Sequence, residues 1–363
     1  MINNEYYLWG AGTYGARLIE FMEKELTFKA IIDNNPKKQG KIFHGLPIIS
    51  YEDVKQNIPD VKIVIALVYP NIVRDFLFDE GYVEYEDFMS IYDFIPRYFW
   101  AKDSLLVPKV VNMSPTNFCN LKCEHCQSQM HLCKNPKITP PENMIKDIDL
   151  LFSHVNSIFL INLCLGESFL NKNLSIFVKH VYEQYSNRYG SLVILTNGTI
   201  VPTDEELIEF AKTNATISIS DYSDGDSSKK AILQKLIDKC EQFGIRYYVN
   251  SSSNKDAWFD FGNPLVTNEI VTEKLKKRFV KCFKPGTGVK RGKIYLCQAH
   301  NIALAVAGAS HLEEGDYFDL QQPKTEQSKL DLLKIITRTP DRGYVEHCKN
   351  CNGTTLISEG ANN

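Results

Sequence analysis

The stretch NFCNLKCEHCQ, residues 117–127, decides how this chain reads: it sets Cys119, Cys123 and Cys126 in a C-x3-C-x2-C spacing with no fourth cysteine in ligand register. A closed structural zinc or iron–sulfur site takes four protein ligands, whereas three leave one metal position open for a substrate or cofactor. Cys133 follows beyond a Met-His-Leu stretch and falls outside any short ligand spacing. Three thiolates on one loop therefore suit a cubane cluster with one unsatisfied iron. The alternative is a zinc knuckle in which His125 or His131 supplies the missing ligand.

The surrounding sequence gives the loop its context. KVVNMSPT (109–116) reads as a strand running directly into it. Helical and extended periodicities then alternate: helix 142–155, strand 157–168, helix 174–189, strand 191–199, helix 203–214, strand 215–223, helix 228–244 and strand 245–253. Consecutive β–α steps with right-handed crossovers make a parallel sheet. They are too few to close an eight-fold barrel, so the expectation is an α/β fold with a partial (β/α)6 barrel over residues 107–275. Function in such barrels gathers at the carboxyl ends of the strands. Those ends carry the cysteine loop, Gly166–Glu167, Asn197–Gly198, Ser218 with Ser220 and Asp221, and Asn250 with Ser252. A lone Asn-Gly is most often a turn; recurrence of polar residues at successive strand ends behind a metal loop points to a site.

Upstream, residues 1–95 read as a Rossmann-like βαβ module. EYYLWG (5–10) is a buried strand, glycines stand at 10, 12 and 15, a helical stretch follows, and FKAIID ends at Asp33. In a dinucleotide fingerprint Gly10, Gly12 and Gly15 let the backbone approach a pyrophosphate at the helix N-terminus, and Asp33 is placed to bond a ribose hydroxyl. VKIVIALVY (61–69) is a further apolar strand, and 95–107 reads as the linker to the barrel.

Composition excludes several classes. A formal net charge of -3 argues against a general nucleic-acid or membrane-surface binder. No apolar run spans a bilayer and no signal sequence opens the chain, so the expected location is the cytoplasm. In a reducing cytosol the ten cysteines are better read as metal ligands than as disulfides. Besides the first three, Cys282, Cys297, Cys348 and Cys351 form a second group in residues 276–355, where GTGVKRGKIYLC (286–297) is a hairpin turning at Arg291–Gly292 and the end carries a C-x2-C. By spacing alone, these four suit structural zinc as well as iron–sulfur.

The cysteine loop and strand ends resemble those of the radical S-adenosylmethionine enzymes, over residues 107–355. That resemblance implies a 4Fe–4S cluster on Cys119, Cys123 and Cys126, whose free iron chelates the amino and carboxylate groups of S-adenosylmethionine. Gly166–Glu167 corresponds to the family's GGE motif, with Leu165 in place of the first glycine, and implies that Glu167 receives the methionyl ammonium. Asn197 and Ser220, with Ser218 on the same strand end, stand where the family binds the methionyl carboxylate and ribose, and His125 stands where a planar residue flanks the adenine. The second cysteine group resembles the twitch domain, a shortened SPASM domain, and implies an auxiliary 4Fe–4S cluster. Residues 1–95 resemble half-Rossmann modules of bacterial sugar-modifying and glycan-assembly enzymes, implying a nucleotide or nucleotide-sugar ligand.

The function this implies is hydrogen abstraction by a 5′-deoxyadenosyl radical from a carbohydrate-like or sugar-nucleotide substrate, leading to oxidation of a hydroxyl carbon. A flavodoxin or ferredoxin is the implied electron donor. Epimerisation, with Cys164 or Cys133 returning a hydrogen atom, is the alternative, as is peptide modification. A reading of another class is a non-catalytic iron–sulfur or zinc-stabilised nucleotide-binding protein.

Overall fold

A computed structural model describes residues 5–57, 62–123, 126–251, 258–264, 266–282, 286–307, 316–353 and 355–357. The chain divides into two units, Met1–Lys109 and Val110–Asn363. In the first, β1 (Tyr6–Trp9) is followed by α1 (Thr13–Met22), β2 (Ile31–Ile32), β3 (Ile42–Phe43), β4 (Leu46–Ile49), β5 (Lys62–Ile65), α2 (Asn71–Asp79), β6 (Phe88–Ser90) and α3 (Ile91–Asp103). The sheet order is β3-β4-β2-β1-β5-β6, with only β3–β4 antiparallel. All four residues of β1 are buried, as a central parallel strand covered on both faces requires. The expected linker at 95–107 is instead mostly α3. Ile91, Phe94, Ile95, Tyr98 and Phe99 recur at helical spacing and are buried, and Phe94 packs edge-on against Tyr6 of β1.

The second unit runs β7 (Val110–Met113), α4 (Pro141–His154), β8 (Ile158–Leu163), α5 (Leu174–Tyr185), β9 (Tyr189–Thr196), α6 (Asp204–Ala211), β10 (Thr216–Asp221), α7 (Ser227–Gln242) and β11 (Arg246–Ser251). There follow β12 (Trp258–Asp260), α8 (Thr272–Lys281), β13 (Thr287–Lys290), β14 (Lys293–Tyr295), α9 (Gln298–Ala307), β15 (Tyr317–Asp319), α10 (Glu326–Ile336) and β16 (Thr355–Ile357). Caps fix the helix starts: Thr203 and Glu206 form a reciprocal capping box on α6, and Asp226 caps α7.

The strands order as β11-β10-β9-β8-β7-β13-β14-β15. Five parallel strands follow in sequence, and the sixth, β13, joins in parallel on the far side of β7, so β13, β14 and β15 continue the barrel's sheet. The β13–β14 hairpin turns at Arg291 and Gly292, both with left-handed φ (53° and 71°), as a two-residue turn between twisted strands demands. Asp147 on α4 holds that turn, its carboxylate accepting the N–H of Arg291 at 2.8 Å and of Gly292 at 2.6 Å. β12 and β16 pair antiparallel in a separate ribbon.

The sheet has two chemically different faces. Val111, Ile161, Ile194 and Ile217 are fully buried, on the side where α4 packs on α5 and α5 on α6. The alternate positions mix apolar residues such as Leu160 and Val193 with the polar Asn112, Asn162, Ser218, Ser220 and Asn250. No helix among the described residues is long and apolar enough to cross a membrane.

Candidate functional site

The cysteine loop leaves the carboxyl end of β7 and is tied to the ends of its neighbours. Phe118, just before Cys119, gives its carbonyl to the N–H of Glu167 at 2.9 Å. The backbone of residue 166 passes so close beneath it that a Cβ there would lie 2.1 Å from the Phe118 oxygen, and φ is +63°, so only glycine fits. Leu165, which replaces the family's first glycine, also has positive φ, at 82°. This leucine carries a backbone conformation natural to glycine, and its side chain is held in an apolar cluster with Met130, Ile302 and Val306. Cys119, Cys133 and Cys164 pack against that same cluster.

Glu167 is fully buried. Its carboxylate accepts the N–H of Phe169 (3.0 Å), the N–H of Asn197 (2.7 Å) and the hydroxyl of Thr196 (2.8 Å), so it joins the ends of β8 and β9. Burial pushes its pKa up against these bonds. Asn197 carries the connection onward: its side-chain N–H₂ donates to Asn120 Oδ1 at 2.9 Å and lies 3.7 Å from the Cys119 sulfur. The N–H of Leu121 also points at that sulfur, at 3.4 Å. Ser218 is buried and accepts from Asn250 Nδ2 at 3.2 Å, while Ser220 bonds the phenol of Tyr222. His125 lies outside the described residues, as does Ser252.

All ten cysteines are free of disulfides. Burial pushes the Cys119 thiol up to about 11, with Glu167 and Cys126 adding to the effect, and raises Cys123, to which Cys126 also contributes. In the second group burial pushes Cys348 far up, and Cys297, Cys282 and Cys351 all act on it. Members of each set lie within electrostatic reach of one another, although among the described residues no three metal-ligating side chains stand close enough together to hold a metal ion. Buried thiols are disfavoured as thiolates, and a bound cation lowers that penalty; at Cys123 the Lys229 ammonium already acts in that direction.

Cys164 lies on the polar face, with its sulfur 3.5 Å from Asn112 Oδ1. Asn112 also accepts from Asn162 Nδ2 (3.2 Å) and donates to the Thr287 carbonyl (3.3 Å), so one buried amide links β7, β8 and β13. Cys133 stands near the end of β13, within electrostatic reach of Lys290. The sequence reading missed Asn112, Asn162 and Lys290. The available signal was an amide within the otherwise apolar runs VVNM and IFLINL.

In the first unit Gly15 is required by packing, since a Cβ would sit 2.2 Å from the Gly10 carbonyl, whereas Gly12, the N-cap of α1, faces open space. Gly10 has φ +121° and is tight against Leu67. Asp33 is engaged within the unit: its carboxylate accepts the N–H of Ala11 (3.0 Å), the N–H of Asn35 (2.9 Å) and the Lys38 ammonium (2.9 Å). Burial opposes its ionisation, but Lys38 and the two N–H groups outweigh that and hold its pKa below the ordinary value.

Comparison with known proteins gives the class. Residues 113–238 match the Radical SAM superfamily, and residues 3–79 match the CoA binding domain. The second unit therefore carries a radical SAM domain, whose class employs S-adenosylmethionine and an iron–sulfur cluster, and the first is a Rossmann-like module. No curated protein matches the sequence.

Among solved structures, native anSMEcpe with bound AdoMet is similar at 15% identity and a TM-score of 0.33, over 41% of this chain and 45% of that one. BtrN in complex with AdoMet and 2-DOIA is similar at 16% identity and a TM-score of 0.40, over 69% and 96%. Streptococcus suis SuiB bound to S-adenosylmethionine is similar at 13% identity and a TM-score of 0.32, over 72% and 76%.

Proposed function

We propose that the second unit abstracts hydrogen from a hydroxyl-bearing, carbohydrate-like substrate and oxidises the carbon that carries the hydroxyl. The observation that carries this reading is the juxtaposition of the cysteine loop with the sheet face that bears Asn112, Asn162 and Asn250, amides suited to bonding hydroxyl groups. Cys119, Cys123 and Cys126 hold the cluster. When bound, cluster and S-adenosylmethionine together supply a 5′-deoxyadenosyl radical, the hydrogen-abstracting species. Glu167 fixes the N–H of Asn197, and Asn197 in turn orients its amide beside Cys119. Gly166, Ser218 and Ser220 complete the S-adenosylmethionine side of the site, with His125.

Cys282, Cys297, Cys348 and Cys351 would hold a second, twitch-type cluster within residues 276–355, which would supply an acceptor for the one electron lost when a substrate radical becomes a carbonyl, the hydroxyl proton leaving to solvent. Residues 1–95, with Gly10, Gly12, Gly15 and Asp33, serve as a nucleotide or nucleotide-sugar module, and a flavodoxin or ferredoxin supplies electrons. Epimerisation is the second reading. It is favoured by the Cys164 thiol on the polar face, and Cys133 is the other donor.

Anaerobic reconstitution tests the reading. Under reduction the chain should form 5′-deoxyadenosine from S-adenosylmethionine, and the triple variant Cys119→Ala, Cys123→Ala, Cys126→Ala should not. Formation of 5′-deoxyadenosine by the triple variant would remove the assignment. Turnover in deuterated water separates the outcomes, since deuterium at carbon in an isomeric product belongs to epimerisation.

A further inference from the structure

Lys290 ends β13 at the mouth of the site. Gly286, Gly288 and Lys290 alternate onto one side of the strand. That side is the polar face: a Cβ at Gly286 would lie 2.4 Å from Asn112 Nδ2, and Gly288 stands in register with Asn112. One step beyond the pairing of Val289 with Met113, Lys290 draws level with Ser114, where β7 gives way to the cysteine loop.

The lysine is partly buried, and among the described residues nothing hydrogen-bonds or ion-pairs with its ammonium. The charged and titratable groups acting on it are Arg291, Asp147 and Cys133. Arg291 is a like charge. The Asp147 carboxylate is already committed to the N–H groups of Arg291 and Gly292. Burial, the largest cause, and Arg291 lower the pKa of the amine. Asp147 and Cys133 act in the opposite direction, but neither makes a direct ion pair with the ammonium; a cation partly withdrawn from water without a direct ion pair is costly, and a bound anion would offset that cost.

We propose that Lys290 is the binding residue for an anionic group on the substrate, a carboxylate or a phosphate, which makes that substrate an acidic sugar or a sugar phosphate. The inference rests on the reading of the polar face as the substrate site. Its test is read on the protein without turnover, so it fails or stands apart from the 5′-deoxyadenosine assay.

The anaerobically reconstituted chain is reductively methylated with S-adenosylmethionine present, and labelling of Lys290 is followed by peptide mass spectrometry, with exposed Lys230 as the reference. Glucose 1-phosphate or glucuronate should slow labelling of Lys290 about tenfold, and glucose should not. Protection by the first alone assigns a phosphate, by the second alone a carboxylate. Equal protection by glucose, or none by either anion, overturns the proposal. In calorimetry Lys290→Gln should bind the protecting sugar about tenfold more weakly and Lys290→Arg should retain binding. Undiminished binding by a folded Lys290→Gln also overturns it, and if that variant does not fold, protection of the unaltered chain decides.

Discussion

Replacing Gly166 by alanine tests whether the cysteine loop rests on the strand end as described. The new Cβ would meet the Phe118 carbonyl oxygen at 2.1 Å, its carbon at 2.9 Å and Thr116 Cγ2 at 3.0 Å, two of them backbone atoms that cannot swing aside. Left-handed backbone in alanine costs about 1 kcal/mol, the overlap about 1–3 kcal/mol, and loss of the bond from Glu167 N–H to the Phe118 carbonyl about 1 kcal/mol. The sum is roughly 3–5 kcal/mol, concentrated next to Cys119. Gly225→Ala is the control, because Gly225 also has positive φ (+74°) but meets nothing within 4 Å, so it should lose only about 1 kcal/mol. Urea unfolding followed by hydrogen exchange in peptides of residues 110–357 reads this unit separately from the first. Gly166→Ala should also lose iron on reconstitution while Gly225→Ala keeps it. Equal stability of the two variants would refute the argument that close backbone approach, rather than φ alone, requires glycine at 166.

Other variants probe the remaining supports. Leu165→Gly relieves about 1 kcal/mol of backbone strain but empties a site worth about 2–5 kcal/mol, so denaturation should show a net loss; a gain would mean that the leucine packs poorly. Asp147→Ala strands two N–H donors at the hairpin turn and should cost about 1–3 kcal/mol, seen as faster exchange at Arg291 and Gly292. The folded pKa of Asp33 lies below its unfolded value, so its contribution is present above the ordinary carboxylate range and is lost as pH falls through the folded value. Asp33→Asn should therefore flatten the acid limb of stability of the first unit, and an unchanged limb would show that its bonds are energetically idle. Changing Cys348 and Cys351 together to alanine should halve the iron bound and loosen residues 276–353, because metal binding and folding are coupled in small metal-held segments; stoichiometric zinc in the unaltered chain purified from iron-rich medium would speak against iron there.

The sequence alone determined what depends on local order. Three cysteines without a fourth, a glycine-spaced turn after a buried strand, alternating periods of helix and strand, and a hairpin at Arg291–Gly292 are written in neighbouring residues. Local geometry favours them, and tertiary contacts such as that of Asp147 with the hairpin turn then hold them. Residues 95–107 show the limit: an apolar helix and a linker differ only in whether a surface exists to cover Ile95, Tyr98 and Phe99, and the sheet of the first unit supplies it.

Tertiary structure alone decided the rest. That β13 lies beside β7, with the 173 residues from Ser114 to Gly286 between them, is set by hydrogen bonding between strands that no local pattern encodes. This pairing brings Lys290 to the cysteine loop and gives Asn112 its partners on three strands. Glu167 illustrates the same division. Its place after a strand glycine was legible, but its bonds to Thr196 and Asn197 exist only because β8 and β9 run side by side. Short-range periodicity fixes the elements; which polar side chains meet is fixed by the sheet order that buries their apolar neighbours.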